Sequence, residues 1–288
     1  SNVIVYPILQ RQKDVLRKKK ARVVLHQAPR LKREIPDKIT KPEKATLFCK
    51  VRDKQLNRII YQSSFDITFL PKDFIVWNIK DSKGEHKYRL SEFLGAWVFA
   101  TDNEELLDKI RSEAAKYHPM GVLVGAGTDN REEIRLQIKA LYDYLSKESG
   151  IKYVNQPFYF GIKEEGQRIL TPDTVIKLKA GNCIDLTVLF ASLMEGLGIN
   201  PLIMLMPSHA FLAWGNKHET RALDFLECTC LGRKSFEEAQ KMGEENFKKN
   251  FLFIGAENPL PNAITFMSKG CEIIDLSEVR AHGIYSIF

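Results

Sequence analysis

Residues 180–229 read AGNCIDLTVLFASLMEGLGINPLIMLMPSHAFLAWGNKHETRALDFLECT, and the fold turns on how this stretch is read. Ile184, Val188 with Leu189, and Leu193 recur every three or four residues, which predicts a buried helix from Cys183 to Gly196, closed by Gly198. Asn182 is a favourable N-cap, and Asp185 in the first turn suits the positive end of the helix dipole. Leu202–Met206 is an apolar run that predicts a buried strand. Pro207-Ser208 then turns the chain into a second strand, His209–Trp214. In it His209, Phe211 and Ala213 share one face, and Ala210, Leu212 and Trp214 the other. Gly215-Asn216-Lys217 predicts a hairpin turn, and Thr220–Thr229 returns antiparallel and puts an acid beside His209.

That order places a thiol at a helix mouth, an imidazole on one strand and a carboxylate on the next. Backbone N–H groups at a helix start favour negative charge, so a cysteine at position 183 is expected to have a depressed pKa and more thiolate. The same N–H groups can hold the oxyanion that forms when a thiolate attacks an acyl carbon. Asp224 and Glu227 both follow His209 on the returning strand. They differ by an odd number of residues, so in a regular strand they face opposite ways, and only one can orient the imidazole. The uncertain loop length leaves that choice open.

Working outward, Thr171-Pro172 opens a short helix over Asp173–Lys179, preceded by Gly166-Gln167-Arg168-Ile169 and an aromatic extended segment, Tyr153–Phe160. Two further helices are predicted at Asn103–Lys116, capped by Thr101 or Asp102, and at Thr128–Ser146, followed by Gly150. Ser235 caps a polar helix that runs to Lys248, Ala263–Leu276 reads as strands, and the tail Val279–Phe288 is expected to dock. Between Ala45 and Val98 the pattern differs. TLFCKV, RIIYQSSFDITFL, FIVWNI and HKYRLSEF are short, rich in β-branched and aromatic residues, and separated by turn signals, which predicts a small antiparallel domain of sandwich type.

Residues 1–44 form a third region. They carry 13 Lys/Arg against four acids, a net of +9, so the rest of this +7 chain is close to neutral. Dense like charge and Pro29, Pro36 and Pro42 predict an extended, basic leader. It reads either as a solvated leader or, over residues 11–44, as a contact for nucleic acid or another acidic partner. The chain is thus expected to divide as 1–44, 45–98 and 99–288. No run approaches the ~18 apolar residues that span a bilayer, and the brief VIVYPIL segment with basic residues behind it is not expected to be a secretory signal. Five scattered cysteines without export signals favour reduced thiols and a cytoplasmic location. No second pair stands at zinc spacing from Cys228-Thr229-Cys230, so neither metal nor cofactor is expected.

The set Gly181-Asn182-Cys183-Ile184-Asp185-Leu186, Gly198-Ile199-Asn200-Pro201, His209-Ala210-Phe211 with Trp214, and Leu226-Glu227-Cys228-Thr229 resembles the transglutaminase-like superfamily of papain-related cysteine enzymes. The likeness is nearest to bacterial transglutaminase-like domains found beside helicase or nuclease modules, which carry a segment similar to Gly166–Pro172 before the cysteine. It covers roughly Leu94 to Leu231. It departs from the family at Ser208, where glycine is usual, and at Glu227, where many members have Asp.

The resemblance implies an α+β fold in which the nucleophile helix packs on an antiparallel sheet, with the small sandwich-like domain preceding it. It assigns Cys183 as nucleophile, His209 as base and Glu227 in preference to Asp224 as the acid. Gln167 and Asn182 are the candidate side-chain oxyanion donors beside the Cys183 N–H. The implied activity is acyl transfer on a protein or peptide amide, either as a cysteine protease or amidase (a hydrolase) or as a transglutaminase-like acyltransferase. The alternative is a catalytically silent recognition module accessory to a nucleic-acid-processing system.

Overall fold

The computed structural model describes residues 38–53, 55–80, 86–99, 104–128, 130–155, 166–215, 223–250, 264–266 and 271–286. Most of the basic leader, residues 1–37, lies outside them, as do Thr101 and Asp102, most of the Tyr153–Phe160 segment and residues 216–222. The chain forms two compact units, Ser1–Lys72 and Asp73–Phe288.

In the first unit, β1 (Glu43–Asp53) and β2 (Arg58–Phe69) make one antiparallel ribbon, with a register shift between Val51 and Arg52. Its turn is held by Asp53, whose Oδ1 accepts the N–H groups of Gln55 and Leu56. Alternation along the strands gathers Leu47, Val51, Tyr61 and Phe65 on one face, where each remains exposed.

The second unit begins with β3 (Phe74–Val76), β4 (Asn78–Lys80) and β5 (His86–Arg89), then α1 (Glu104–Ala114) and α2 (Arg131–Tyr144). After α2 the chain makes a π-helical turn over Leu145–Ser149 and leaves it through Gly150, whose φ of 68° suits glycine. Next come β6 (Lys152–Tyr153), β7 (Gly166–Arg168), α3 (Pro172–Leu178), β8 (Ala180–Gly181) and α4 (Cys183–Glu195). Then follow β9 (Pro201–Met206), β10 (His209–Trp214), β11 (Asp224–Leu226), α5 (Phe236–Asn250), β12 (Ile264–Phe266), β13 (Glu272–Asp275) and α6 (Leu276–Ala281).

The main sheet has the order β11-β10-β9-β13-β12, every neighbouring pair antiparallel. Both of its faces are covered. Ile203, Leu205, Ala210, Leu212, Trp214, Leu226 and Ile274 share one core with the apolar side chains of α4, while Leu202, Met204, Phe211, Ala213, Phe225 and Ile273 meet Phe247 of α5. α4 is buried at every position from Cys183 to Met194, as a helix apolar all round must be. Its two hydroxyls are absorbed by i−4 carbonyls, Thr187 bonding Cys183 O and Ser192 bonding Val188 O. The chain is therefore α+β, with a buried helix packed on an antiparallel sheet.

Two expectations fail. The strands of residues 45–98 build no sandwich and no shared domain. Among the described residues β1 and β2 pair only with each other, β4 pairs with β5, and β3 pairs with β7 from far along the chain, Ile75 opposite Gln167. The boundary between units accordingly falls after Lys72, not after residue 98. Phe74 and Ile75 are buried, so this segment completes the second unit's core. The strand expected to reach Leu276 stops at Asp275, because the Asp275 side chain accepts the N–H groups of Ser277 and Glu278 and starts α6.

Candidate active site

The site is built from the mouth of α4. Asn182 caps the helix by accepting from the N–H groups of Ile184 and Asp185, at 3.0 and 3.1 Å. Asp185 returns the bond, its Oδ2 accepting the Asn182 N–H at 3.0 Å. Its Oδ1 accepts the Leu170 N–H at 2.8 Å, so one carboxylate ties the segment after β7 to the helix start. With these donors taken, the Cys183 N–H is in the first turn of the helix, where backbone N–H groups have no intrahelical acceptor. Cys183 itself is 6% exposed.

His209 opens β10 directly after the Pro207-Ser208 turn and stacks near Phe211, ring centroids 6.3 Å apart. The Cys183 side chain is close enough to favour charge on its ring. The His209 Nε2 lies 2.6 Å from Glu227 Oε2, so Nδ1 is the ring nitrogen not taken by the carboxylate. Burial opposes charge on the ring. The side chains of Cys183 and Glu227, and then the charges of both, outweigh it and push His209 up to about 10.

Register explains why Glu227 and not Asp224 reaches the ring. Leu212 pairs with Leu226 and Trp214 with Asp224. Continuing that register by one residue sets Glu227 opposite Phe211, on the His209 side. Asp224 points the other way and is held by Arg131 of α2, whose Nε and Nη2 donate to its two oxygens at 2.7 and 2.9 Å. Glu227, and not the expected alternative Asp224, is thus the acid that contacts His209.

Glu227 is 1% exposed and fully satisfied. Oε1 accepts from the Thr229 N–H and hydroxyl at 3.1 and 2.7 Å, and Oε2 accepts from Asn246 Nδ2 at 2.8 Å besides facing the imidazole. Burying a polar group without partners costs free energy, and these donors offset that cost. α5 supplies much of the support, since its Ala239 carbonyl also accepts the Glu227 N–H. Gly243 lets the helix approach. A Cβ there would lie 2.9 Å from Phe225 Cβ and 3.1 Å from Leu226 N. Gly243→Ala is expected to cost about 1–3 kcal/mol in urea unfolding, by forcing α5 off β11.

Asn246 and Gly243 are not singled out by the sequence, whereas Thr229 belongs to the Leu226–Thr229 motif. The available signal was the spacing of Gly243 and Asn246, which puts both on one helix face. Gln167, the other proposed oxyanion donor, sits buried in the middle of β7. Its amide makes no hydrogen bond with Cys183 or His209 among the described residues.

Two of the remaining sulfurs, Cys228 and Cys230, do not compete. None of the five cysteines is in a disulfide. Burial pushes Cys230 up to about 11 and Cys228 well above the ordinary thiol value. Among the described residues no group of three or more His, Cys, Asp or Glu is placed to hold a metal ion, and no helix is long and apolar enough to cross a membrane.

No family model matches the chain, and no curated protein matches it. One solved structure, of a protein from Parabacteroides distasonis described as a putative protease, is similar over 83% of this chain at 10% identity and a TM-score of 0.32. The chain spans 41% of that protein's length, and a likeness of this strength assigns neither fold nor activity.

Proposed function

We propose that this protein is a cysteine-dependent acyl-transfer enzyme with a Cys183–His209–Glu227 triad on a transglutaminase-like, papain-related core. The observation that carries the reading is the 2.6 Å contact of His209 Nε2 with a buried, fully hydrogen-bonded Glu227, with Cys183 at a helix mouth close enough to favour charge on the same ring. In the proposed reaction the Cys183 thiolate attacks an amide carbonyl, and the oxyanion is received by the Cys183 N–H. The His209 imidazolium gives its Nδ1 proton to the departing amine as the C–N bond breaks, leaving a thioester. Neutral His209 then deprotonates water, or a second amine, which displaces the sulfur. Glu227 holds the ring orientation and stabilises its charge throughout.

Alkylation by iodoacetamide at pH 7, located by peptide mass mapping, tests the reading. Cys183 is expected to react at least ~10²-fold faster than Cys228, Cys230 and Cys271, and to lose that advantage in His209→Ala. Slow labelling of Cys183 at the rate of the other buried cysteines would leave only a recognition module on the same fold.

A further inference from the structure

Tyr153 and Arg233 flank the triad and play no part in the chemistry just described. The β6–β8 ladder pairs Tyr153 with Gly181, two residues before the nucleophile, and the Val154 N–H donates to the Gly181 carbonyl at 2.9 Å. Tyr153 is therefore fixed beside the mouth of α4. Arg233 follows the turn that carries Glu227 and Thr229, and its N–H donates to the Cys230 carbonyl. Its Nη2 donates to the Thr229 carbonyl at 2.5 Å, and its guanidinium stands 5.4 Å from the Tyr153 ring centroid.

This arginine differs from the other arginines that join elements of the second unit. Arg131, Arg168 and Arg280 each meet a carboxylate, on Asp224, Asp73 and Glu195. Arg233 meets none among the described residues, although it is exposed. One carbonyl and one aromatic face hold its plane, leaving the rest of the fork to solvent. A guanidinium fixed in this way has lost little of its capacity for two parallel hydrogen bonds to a carboxylate, and it meets that geometry better than an ammonium does.

Resting on the acyl-transfer reading, we infer that Arg233, braced on Tyr153, is the subsite that selects substrates with a carboxylate near the scissile carbonyl, as in acidic peptides. The electrostatics agree. Burial raises the Tyr153 phenol first, the charges of Cys183 and Glu227 raise it further, and Arg233 lowers it, so the tyrosine senses the triad and the arginine together.

Two reagents that differ in one group supply the test. Iodoacetate carries the carboxylate and iodoacetamide the neutral amide, and both alkylate the same sulfur. The ratio of their rate constants at Cys183 cancels any effect of a variant on the sulfur itself. The ratio is expected to fall at least ~5-fold in Arg233→Ala, to be partly kept in Arg233→Lys, and to fall in wild type as salt is raised. A ratio unchanged in Arg233→Ala overturns the carboxylate subsite while leaving the triad intact. Slow reaction of wild-type Cys183 with iodoacetamide overturns the enzymatic reading, and the subsite with it.

Discussion

Glu227→Gln is expected to slow Cys183 alkylation at pH 7 by about 10²–10⁴-fold, while Asp224→Asn leaves it within a factor of about two. The cause is tautomeric as well as electrostatic. An amide in place of the carboxylate offers an NH₂ where His209 Nε2 now donates at 2.6 Å. The ring must then accept at Nε2 and carry its proton at Nδ1, so it faces the sulfur as a neutral donor and cannot take the proton. The charge that helps hold His209 up to about 10 is lost at the same time.

Stability should report this independently. The folded-state value lies above the ordinary histidine value of 6.5. The folded protein therefore binds the proton more tightly than the unfolded chain does. The resulting stabilisation is complete below pH 6.5 and is lost as pH rises through about 10. Between those limits wild type should lose more stability than Glu227→Gln, by about 1.5–3 kcal/mol, the worth of a hydrogen bond to a charged group. Urea titrations of both proteins at pH 6.5 and 10 measure the difference. Equal slopes would mean that Glu227 does not hold the imidazolium.

The helix and strands that carry the candidate site are legible because their signals are local. Apolar spacing, an Asn cap and a two-residue turn fix Cys183 and His209 within one short stretch of chain. The third member is not, and the reason is a counting problem. A turn at Gly215-Asn216-Lys217 implies a tight hairpin, but Trp214 pairs with Asp224, so nine residues separate the strands. Parity across a strand pair depends on every one of them, and no pattern in the loop reveals the number. The expected sandwich failed through a related cause. Alternation identifies Phe74–Val76 as a strand, but its partner is Gly166–Arg168, and side-chain periodicity carries no record of a partner so distant. The supporting residues of α5 escaped notice for a third reason. Asn246 is an ordinary polar residue on an ordinary polar helix until Gly243 brings that face against Glu227.

In the sequence Asp185 is a first-turn acid that suits a dipole, a contribution of about 0.3–1 kcal/mol. The structure gives it a larger role. It is 1% exposed and accepts two backbone N–H groups from separate segments, Leu170 and Asn182. Asp185→Ala strands both donors in the interior, at about 1–3 kcal/mol each, and cuts the tie between the segment after β7 and the helix mouth. A loss of about 3–5 kcal/mol in urea unfolding at pH 7 is expected, with slower Cys183 alkylation because the N-cap loses its reciprocal bond. pH separates this role from simple loss of volume. Burial raises the Asp185 carboxyl above its usual 3.8, more than the two N–H groups lower it. Its charge therefore costs the folded state stability above that raised value, and the cost disappears as pH falls toward 3.8. Wild type should gain stability over Asp185→Asn, which has no such titration, as pH is lowered through that interval. Parallel pH dependence of the two would show that Asp185 acts only by filling space.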